Sequence, residues 1–404
     1  VGVTCNLSCP YCYEHPMREA GNYSGNVRKP YDVDKIIERL EKENTKFSLF
    51  GGEPLLTDIE DLEKLWKWGF ERHQGNGVQT NATLITDQHI ELFKKYAVHV
   101  GISVDGPDEL NDARWAGSLA NTRQRTAMSM RAIDRLLEEG VIPSFIVTIH
   151  QLNATPERLP RLKEWFRQMD ARGVYSSRLH PLEIEYDSVG ETLALTPQRN
   201  AEVMLEMAEF EKSLTNLKFD LFTDMKNMLL GQDGSATCTF HNCDPYTTDA
   251  VQGVGGYGEK GNCGRANKEG IDFIKSDQRG YERQMALFHT PQEYGGCKGC
   301  RFFIMCKAQC PGTGINQDWR NRTEGCLMFY TLLEHFEKDF LSKGVLPLSQ
   351  SPILKDIEKI MYDFWTRGDR AQIENGVFPI LNNQKPMSCD ITQHGDHYDY
   401  SRTQ

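Results

Sequence analysis

No stretch of this 404-residue chain is long and apolar enough to cross a membrane. Basic residues are in the minority, 46 Lys and Arg against 57 Asp and Glu, and no basic patch stands out. Binding to a phosphate backbone is therefore a poor default, and no nucleic-acid or membrane partner is expected. The net charge of −11 reads most simply as a solvated surface. The residues shown contain no signal peptide, and their cysteine spacings suit a metal better than disulfides. A cytoplasmic, reducing compartment follows as the expectation. Val1 lies four positions before the first motif cysteine, Cys5, so the natural beginning is expected to lie upstream. With 39% hydrophobic and 25% charged residues, the chain has enough material for one large domain and a smaller one.

What is abundant is cysteine, twelve in all. The first three, Cys5, Cys9 and Cys12, stand at C-x3-C-x2-C in a loop after a short apolar run. Three thiolates face one ion or cluster but leave its shell open. A structural zinc wants four ligands, whereas an iron–sulfur cluster held by three Cys keeps one iron available for chemistry. A zinc knuckle completed from elsewhere in the chain is the alternative on spacing alone.

Downstream, strands and helices alternate about six times at intervals of roughly 30 residues, the rhythm of βαβ units on a parallel sheet. The expected strands are the run before the cysteine loop, Lys46–Phe50, Gly77–Thr80, Val98–Val104, Ile142–Ile149 and one within Val174–Ile184. Asp32 or Asp34 is expected to cap the first helix. The candidate motifs then fall at strand ends, where parallel α/β folds carry function: the cysteine loop, Gly51-Gly52-Glu53-Pro54, Asn81, and Ser103-Val104-Asp105. Pro197–Leu230 reads as helical, with a core stripe that includes Met204, Met207 and Met225. Residues 232–326 are rich in Gly, Cys and turns and too poor in periodicity for a large core, so they need staples. A helix is expected over 327–340 and another around Ile353–Trp365. Domain limits follow as 1–230, 231–340 and a C-terminal extension, 341–404. His394 and His397 read as part of an exposed polar tail.

At the cysteine loop, Tyr11 and Gly51–Pro54, the chain resembles the radical S-adenosylmethionine (SAM) superfamily. The resemblance implies a partial (β/α)6 barrel and a [4Fe–4S] cluster on Cys5, Cys9 and Cys12 that binds and cleaves SAM to a 5′-deoxyadenosyl radical. It implies that Gly51, Gly52, Glu53 and Pro54 meet the SAM amino group, that Ser103 and Asp105 meet the ribose, that Tyr11 lies near the adenine and that Asn81 lies beside SAM or substrate. Arg114, Arg123 and Arg125 are the candidates for the SAM carboxylate.

Eight further cysteines form a second field: Cys238, Cys243, Cys263, Cys297, Cys300, Cys306, Cys310 and Cys326. Two sets of four suit zinc or closed iron–sulfur clusters equally well by number. Their order resembles the SPASM domain of radical SAM proteins, a small cysteine-rich α+β unit. That resemblance implies two auxiliary [4Fe–4S] clusters, three clusters in total. Cys238, Cys243, Cys263 and Cys310 would hold the first, and Cys297, Cys300, Cys306 and Cys326 the second. Cys238 is the member that the family motif does not always include. Cys389 is left over and reads as a plain thiol.

SPASM proteins mostly act on peptides, so the expectation is a maturase of a ribosomally made precursor peptide that makes cross-links or excises residues. A separate leader-recognition protein and a flavodoxin or ferredoxin electron donor are the expected partners. Formylglycine formation on sulfatases is the alternative. Sulfatase maturases place an Asp after the last cysteine of the first auxiliary segment, whereas here Gly264 follows Cys263. A cysteine-stapled zinc scaffold is the non-enzyme alternative. No catalytic base is assigned, and His150 and His180, near strand ends, read as structural.

Overall fold

The computed structural model describes residues 4–14, 31–184, 186–248, 250–265, 280–370 and 372–384. Cys389, His394 and His397 lie outside the described residues. The first half runs α1 (Val33–Glu43), β1 (Ser48–Leu49), α2 (Ile59–His73), β2 (Asn76–Thr80), α3 (Asp87–Lys95), β3 (Val98–Ser103), α4 (Leu119–Glu138) and β4 (Ser144–Ile149). It continues with α5 (Gln151–Ala154), α6 (Leu159–Ala171), β5 (Ser176–Pro181), α7 (Asp187–Leu193), α8 (Pro197–Glu211), β6 (Lys218–Phe219) and α9 (Asp220–Leu229). The six strands pair in sequence order, all parallel, and β1 and β6 are the two edges. This is the open, partial α/β barrel expected from the alternation.

The membership of the sheet differs from the sequence reading at both ends. Thr4, which ends the expected first strand, is not in a strand, and Val1–Val3 lie outside the described residues. The sixth strand is instead Lys218–Phe219, inside the stretch read as continuous helix. A two-residue strand is too short to leave a period-2 signal between two amphipathic helices. Asp32 caps α1 as expected, its side chain accepting from the Asp34 and Lys35 amides.

The cysteine-rich half contributes a β7–β8 hairpin (Gly253–Val254, Lys260–Gly261), α10 (Glu282–His289), α11 (Phe303–Cys306) and α12 (Cys326–Ser342). After it come α13 (Leu354–Thr366), a wide turn at Ile373–Val377 and α14 (Phe378–Gln384). The expectation that residues 232–326 lack a core is corrected here: Phe240, Leu287, Phe302, Phe303, Ile304 and Met305 are buried in the same apolar cluster as the barrel. A relay of aromatic rings carries that core across. Phe145 packs on Trp165 at 5.0 Å, Trp165 on Phe166 at 5.0 Å, and Phe166 on Phe219 at 5.1 Å. Phe219 then meets Phe222 at 5.6 Å and Phe222 meets Phe336 of α12 at 5.9 Å. The methionines Met204, Met207 and Met225 are fully buried, as their spacing implied. The extension joins the same core through Phe303 against Trp365 at 5.9 Å and Phe288 against Tyr362 at 5.5 Å. Among the described residues no helix is long and apolar enough to cross a membrane.

Candidate active site

Parallel register places the strand ends on one rim: Thr80 lies beside Ile102, and Ser103 beside Ile146. The cysteine loop is tied to that rim at three places. The Glu53 amide donates to the Thr4 carbonyl at 2.8 Å, and the Ser8 amide donates to the Trp115 carbonyl at 2.7 Å. Asn81 Nδ2 donates to Asn6 Oδ1 at 2.8 Å and reaches Cys5 Sγ at 3.9 Å, while Asn6 Nδ2 donates to Thr83 Oγ1 at 2.8 Å. Within the loop, the Cys12 amide closes a turn on the Cys9 carbonyl at 3.1 Å.

None of the eleven described cysteines is in a disulfide. Burial pushes the Cys9 thiol far above its ordinary pKa; Arg114 opposes this, and Cys12 and Cys5 add to it. The three sulfurs are therefore within electrostatic reach of one another. Thiolates so placed need a cationic group to stay ionised, which is the setting an iron cluster meets. Among the described residues no three His, Cys, Asp or Glu side chains gather tightly enough to hold a single metal ion. Three free thiols on one loop are the donor type that an iron–sulfur cluster takes.

Glu53 is 3% exposed. Its Oε1 accepts from Thr80 Oγ1 at 2.6 Å and the Leu55 amide at 3.0 Å, and Oε2 accepts from the Asn81 amide at 2.8 Å. Burial raises its pKa, and these three donors pull the other way. A carboxylate has about four acceptor positions, so the protein itself occupies most of them. Glu53 welds the Gly51–Pro54 turn to the end of β2. Gly51, at φ 132°, takes a backbone conformation that favours glycine.

Asp105 is a fully buried hub. Oδ1 accepts from Arg114 Nη2 at 2.9 Å and the Thr148 amide at 3.0 Å. Oδ2 accepts from the Tyr11 hydroxyl and, at 3.2 Å, from His150 Nε2. Burial alone would raise the Asp105 pKa; the Arg114 guanidinium, with His150 and Tyr11, instead holds it well below the ordinary carboxylate range. His150 Nδ1 accepts from the Leu152 amide at 3.1 Å, which leaves its proton on Nε2 facing Asp105. His150 thus caps α5 and braces Asp105, in keeping with its structural reading. Ser103 Oγ accepts from Gln79 Nε2 at 2.8 Å.

The three candidate arginines separate cleanly. Arg123 is on the surface, paired to Asp112 through Nη2 at 2.6 Å. Arg125 reaches Met128 Sδ at 3.7 Å. Arg114 is buried beside Asp105, with its guanidinium 5.8 Å from the Tyr11 ring centre. Its Nε is buried with no partner among the described atoms.

In the second cysteine field, burial pushes the Cys306 thiol well up, and Cys326, Cys297 and Cys300 each add to the push. These four therefore converge. Burial raises Cys263, with Cys238 contributing, and raises Cys310 to about 12, with Cys263 contributing. A cavity of about 250 Å³ opens between the end of β5 and this half, with Arg178, His180, Glu183, Cys238, Arg265 and Cys310 in its wall. Arg178 Nε bonds Asp220 Oδ2 at 2.7 Å. Arg265 Nε lies 3.2 Å from Glu183 Oε1, and Arg265 Nη2 donates to His180 Nε2. His180 Nε2 also lies 3.3 Å from Glu183 Oε1; burial and Arg265 lower its pKa, and Glu183 opposes them. Sequence reading missed Arg178, Glu183 and Arg265. Only Arg265 carried a signal, standing two residues after Cys263. At Gly264 a Cβ would come within 2.8 Å of the Tyr13 ring, which fills the space where a side chain at that position would point.

Residues 1–166 match the Radical SAM superfamily. The chain is 22% identical over 343 residues to a cysteine-type anaerobic sulfatase-maturating enzyme of Clostridium perfringens, covering 76% of this chain and 85% of that protein. It is 28% identical over 165 residues to a serine-type anaerobic sulfatase-maturating enzyme of Bacteroides thetaiotaomicron, covering 38% of this chain and 39% of that one. Among solved structures, native anSMEcpe with bound AdoMet superposes with a TM-score of 0.61 at 17% identity, covering 85% of this chain and 96% of that one. The same protein with AdoMet and the Cp18Cys peptide gives 0.59. The fold is thus shared nearly end to end. A three-cysteine loop cinched to the rim of an open parallel barrel, with this match across it, makes residues 1–166 a Radical SAM superfamily domain and the chain an enzyme.

Proposed function

We propose that this enzyme oxidatively modifies one residue of a peptide or protein substrate, with SAM at the barrel rim and the substrate residue in the cavity between β5 and the cysteine-rich half. The observation that carries this reading is the linkage of the Cys5–Cys12 loop to the Gly51–Pro54 turn and Asn81. That linkage supports a cluster on Cys5, Cys9 and Cys12 with its open side over the strand ends. Two auxiliary clusters on the two cysteine sets are supported by the convergence of Cys297, Cys300, Cys306 and Cys326 and by the proximity of Cys238, Cys263 and Cys310.

When bound, the first cluster and SAM supply a 5′-deoxyadenosyl radical that takes a hydrogen atom from substrate. The chain's own residues position and shield. Gly51 and Gly52 leave backbone open to the SAM amino group, with Pro54 fixing the exit of the turn and Glu53 bracing it from behind. Asn81 and Ser103 present side chains at the rim. Asp105 acts through Tyr11 and Arg114, which it aims, and Arg114 is the candidate for the SAM carboxylate because its Nε is buried and unpartnered. Arg178 and Arg265 enter the cavity wall already paired to carboxylates, so the wall is polar without a large net charge. A small iron–sulfur or flavin protein is the electron donor this chemistry requires.

A second reading, formylglycine formation, is supported by the sulfatase-maturating relatives, which this chain follows over 85% of the length of one of them. Gly264 and the Tyr13 ring beside it stand against a carboxylate base at that position. The test is anaerobic reaction of the reconstituted enzyme with SAM, dithionite and peptides, read by 5′-deoxyadenosine and by product mass. A peptide aldehyde from a cysteine or serine substrate selects formylglycine formation. A loss of two hydrogens without an aldehyde selects cross-linking. No 5′-deoxyadenosine under any condition contradicts both.

A further inference from the structure

Between Cys306 and Cys310 the backbone does something costly. Lys307, Ala308 and Gln309 are three consecutive non-glycine residues in the left-handed region, at φ 55°, 56° and 60°. Each such residue costs of order 1 kcal/mol, so the neighbours must hold the turn in place. One side chain does most of this. Arg283 of α10, 3% exposed, donates from Nη2 to the Ala308 carbonyl at 3.2 Å and from Nη1 to the Gln309 carbonyl at 3.2 Å. It also donates from Nη2 to the Asn321 carbonyl at 3.0 Å and from Nε to the Trp319 carbonyl at 2.5 Å. All its bonds go to carbonyls, and no carboxylate pairs with it among the described residues.

A buried guanidinium without a counter-ion is expensive. The groups whose negative charge would act on it are sulfurs from both cysteine sets: Cys310 and Cys243 of one, Cys297 and Cys306 of the other. The second buried cation of this turn, Lys307, is already neutralised by Asp233 at 2.7 Å. Arg265, near the first set, is matched by Glu183. Arg322, the other cation here without a carboxylate, donates to the Gln292 and Gly296 carbonyls and acts on the second set through Cys326, whereas Arg283 holds the turn that joins the two sets.

We propose that Arg283 is the shared counter-charge of the two auxiliary clusters, bracing the left-handed turn that joins them and raising the reduction potential of both. The inference rests on the cluster assignment under Proposed function. Its physical basis is that reduction adds an electron to an already anionic site, and a fixed cation at close range in a dry setting favours the reduced form.

The test uses the full chain with Cys5, Cys9 and Cys12 changed to Ala, so that only the auxiliary clusters are read. Iron and sulfide are counted, and midpoint potentials are taken by EPR-monitored titration, for Arg283 and for the Arg283→Gln and Arg283→Lys variants. With Arg283→Gln, both potentials should fall by at least a tenfold change in the reduction equilibrium, which is 59 mV for a one-electron couple. Arg283→Lys, which keeps a cation there, should stay within about threefold of the parent. Unchanged potentials in Arg283→Gln with full iron content overturn the proposal. So does a tenfold fall in Arg283→Lys with iron retained, which decides the matter even where the Gln variant does not fold. A parent chain that takes up no iron beyond background overturns the cluster assignment itself, a different result from clusters that are present but indifferent to Arg283.

Discussion

Asp105 and Arg114 form a buried ion pair at 2.9 Å, and every acceptor position of the Asp105 carboxylate is taken by the protein. The pair joins the end of β3 to the cysteine loop through Tyr11 and to β4 through Thr148. Removing one partner of such a pair strands a buried charge at a cost of about 3–5 kcal/mol. Arg114→Ala should therefore lose solubility or most of its thermal stability, and Arg114→Lys should recover part of both. A stable Arg114→Ala protein with weakened SAM binding alone would show that Arg114 serves the ligand and not the hub.

Glu53→Gln replaces one acceptor oxygen with an amide that faces donors. One of the bonds from Thr80, Leu55 and Asn81 is lost, at about 1–3 kcal/mol. The thermal midpoint and SAM affinity should fall together, since the turn and the rim loosen as one. Calorimetry and SAM titration on the same preparation check this. Weaker SAM binding with an unaltered midpoint would mean a direct contact with SAM.

Asp224, buried and accepting from the Thr237 amide at 3.0 Å, has its pKa raised by burial to about 6. An acid with a raised folded-state pKa holds more protons folded than unfolded. Its stabilising effect is present at low pH and is lost as pH rises from its unfolded value through about 6. Asp224→Asn should remove that loss, by about 1–3 kcal/mol. Thermal midpoints at pH 5 and pH 8 for both proteins test it: the wild type should lose more between them. Equal losses would place Asp224 outside the pH response.

Gly264→Asp would set a side chain into the Tyr13 ring. Overpacking of this kind costs about 1–3 kcal/mol. The variant should be less stable and gain no aldehyde-forming activity. Pairing it with Tyr13→Ala should restore stability. A Gly264→Asp protein as stable as the parent would show that Tyr13 yields easily.

The barrel was legible because its strands β2 to β5 are bracketed by long amphipathic helices such as α2, where Leu62, Leu65 and Trp66, at helical spacing, are buried. The motif residues Cys5 to Cys12, Gly51 to Pro54, Asn81 and Asp105 were legible as short patterns after strands. What they do locally was not. That Glu53 and Asp105 face protein donors follows from contacts with Thr80, Asn81, Thr148 and His150, which are distant in sequence. Arg283 and Glu183 gave no sign at all, because an isolated Arg or Glu beside a helix or strand end reads as surface. The shared core of the cysteine-rich half was hidden for the same reason: its apolar residues, such as Phe240 and Phe302, follow no regular period.

The first cysteine loop carries the central claim, that this chain cleaves SAM on a cluster held there. Changing Cys5, Cys9 and Cys12 together to Ala should lower iron by about four atoms per chain and abolish 5′-deoxyadenosine formation from SAM under dithionite, while the chain remains folded. Retention of 5′-deoxyadenosine formation at the wild-type rate in that variant would contradict it.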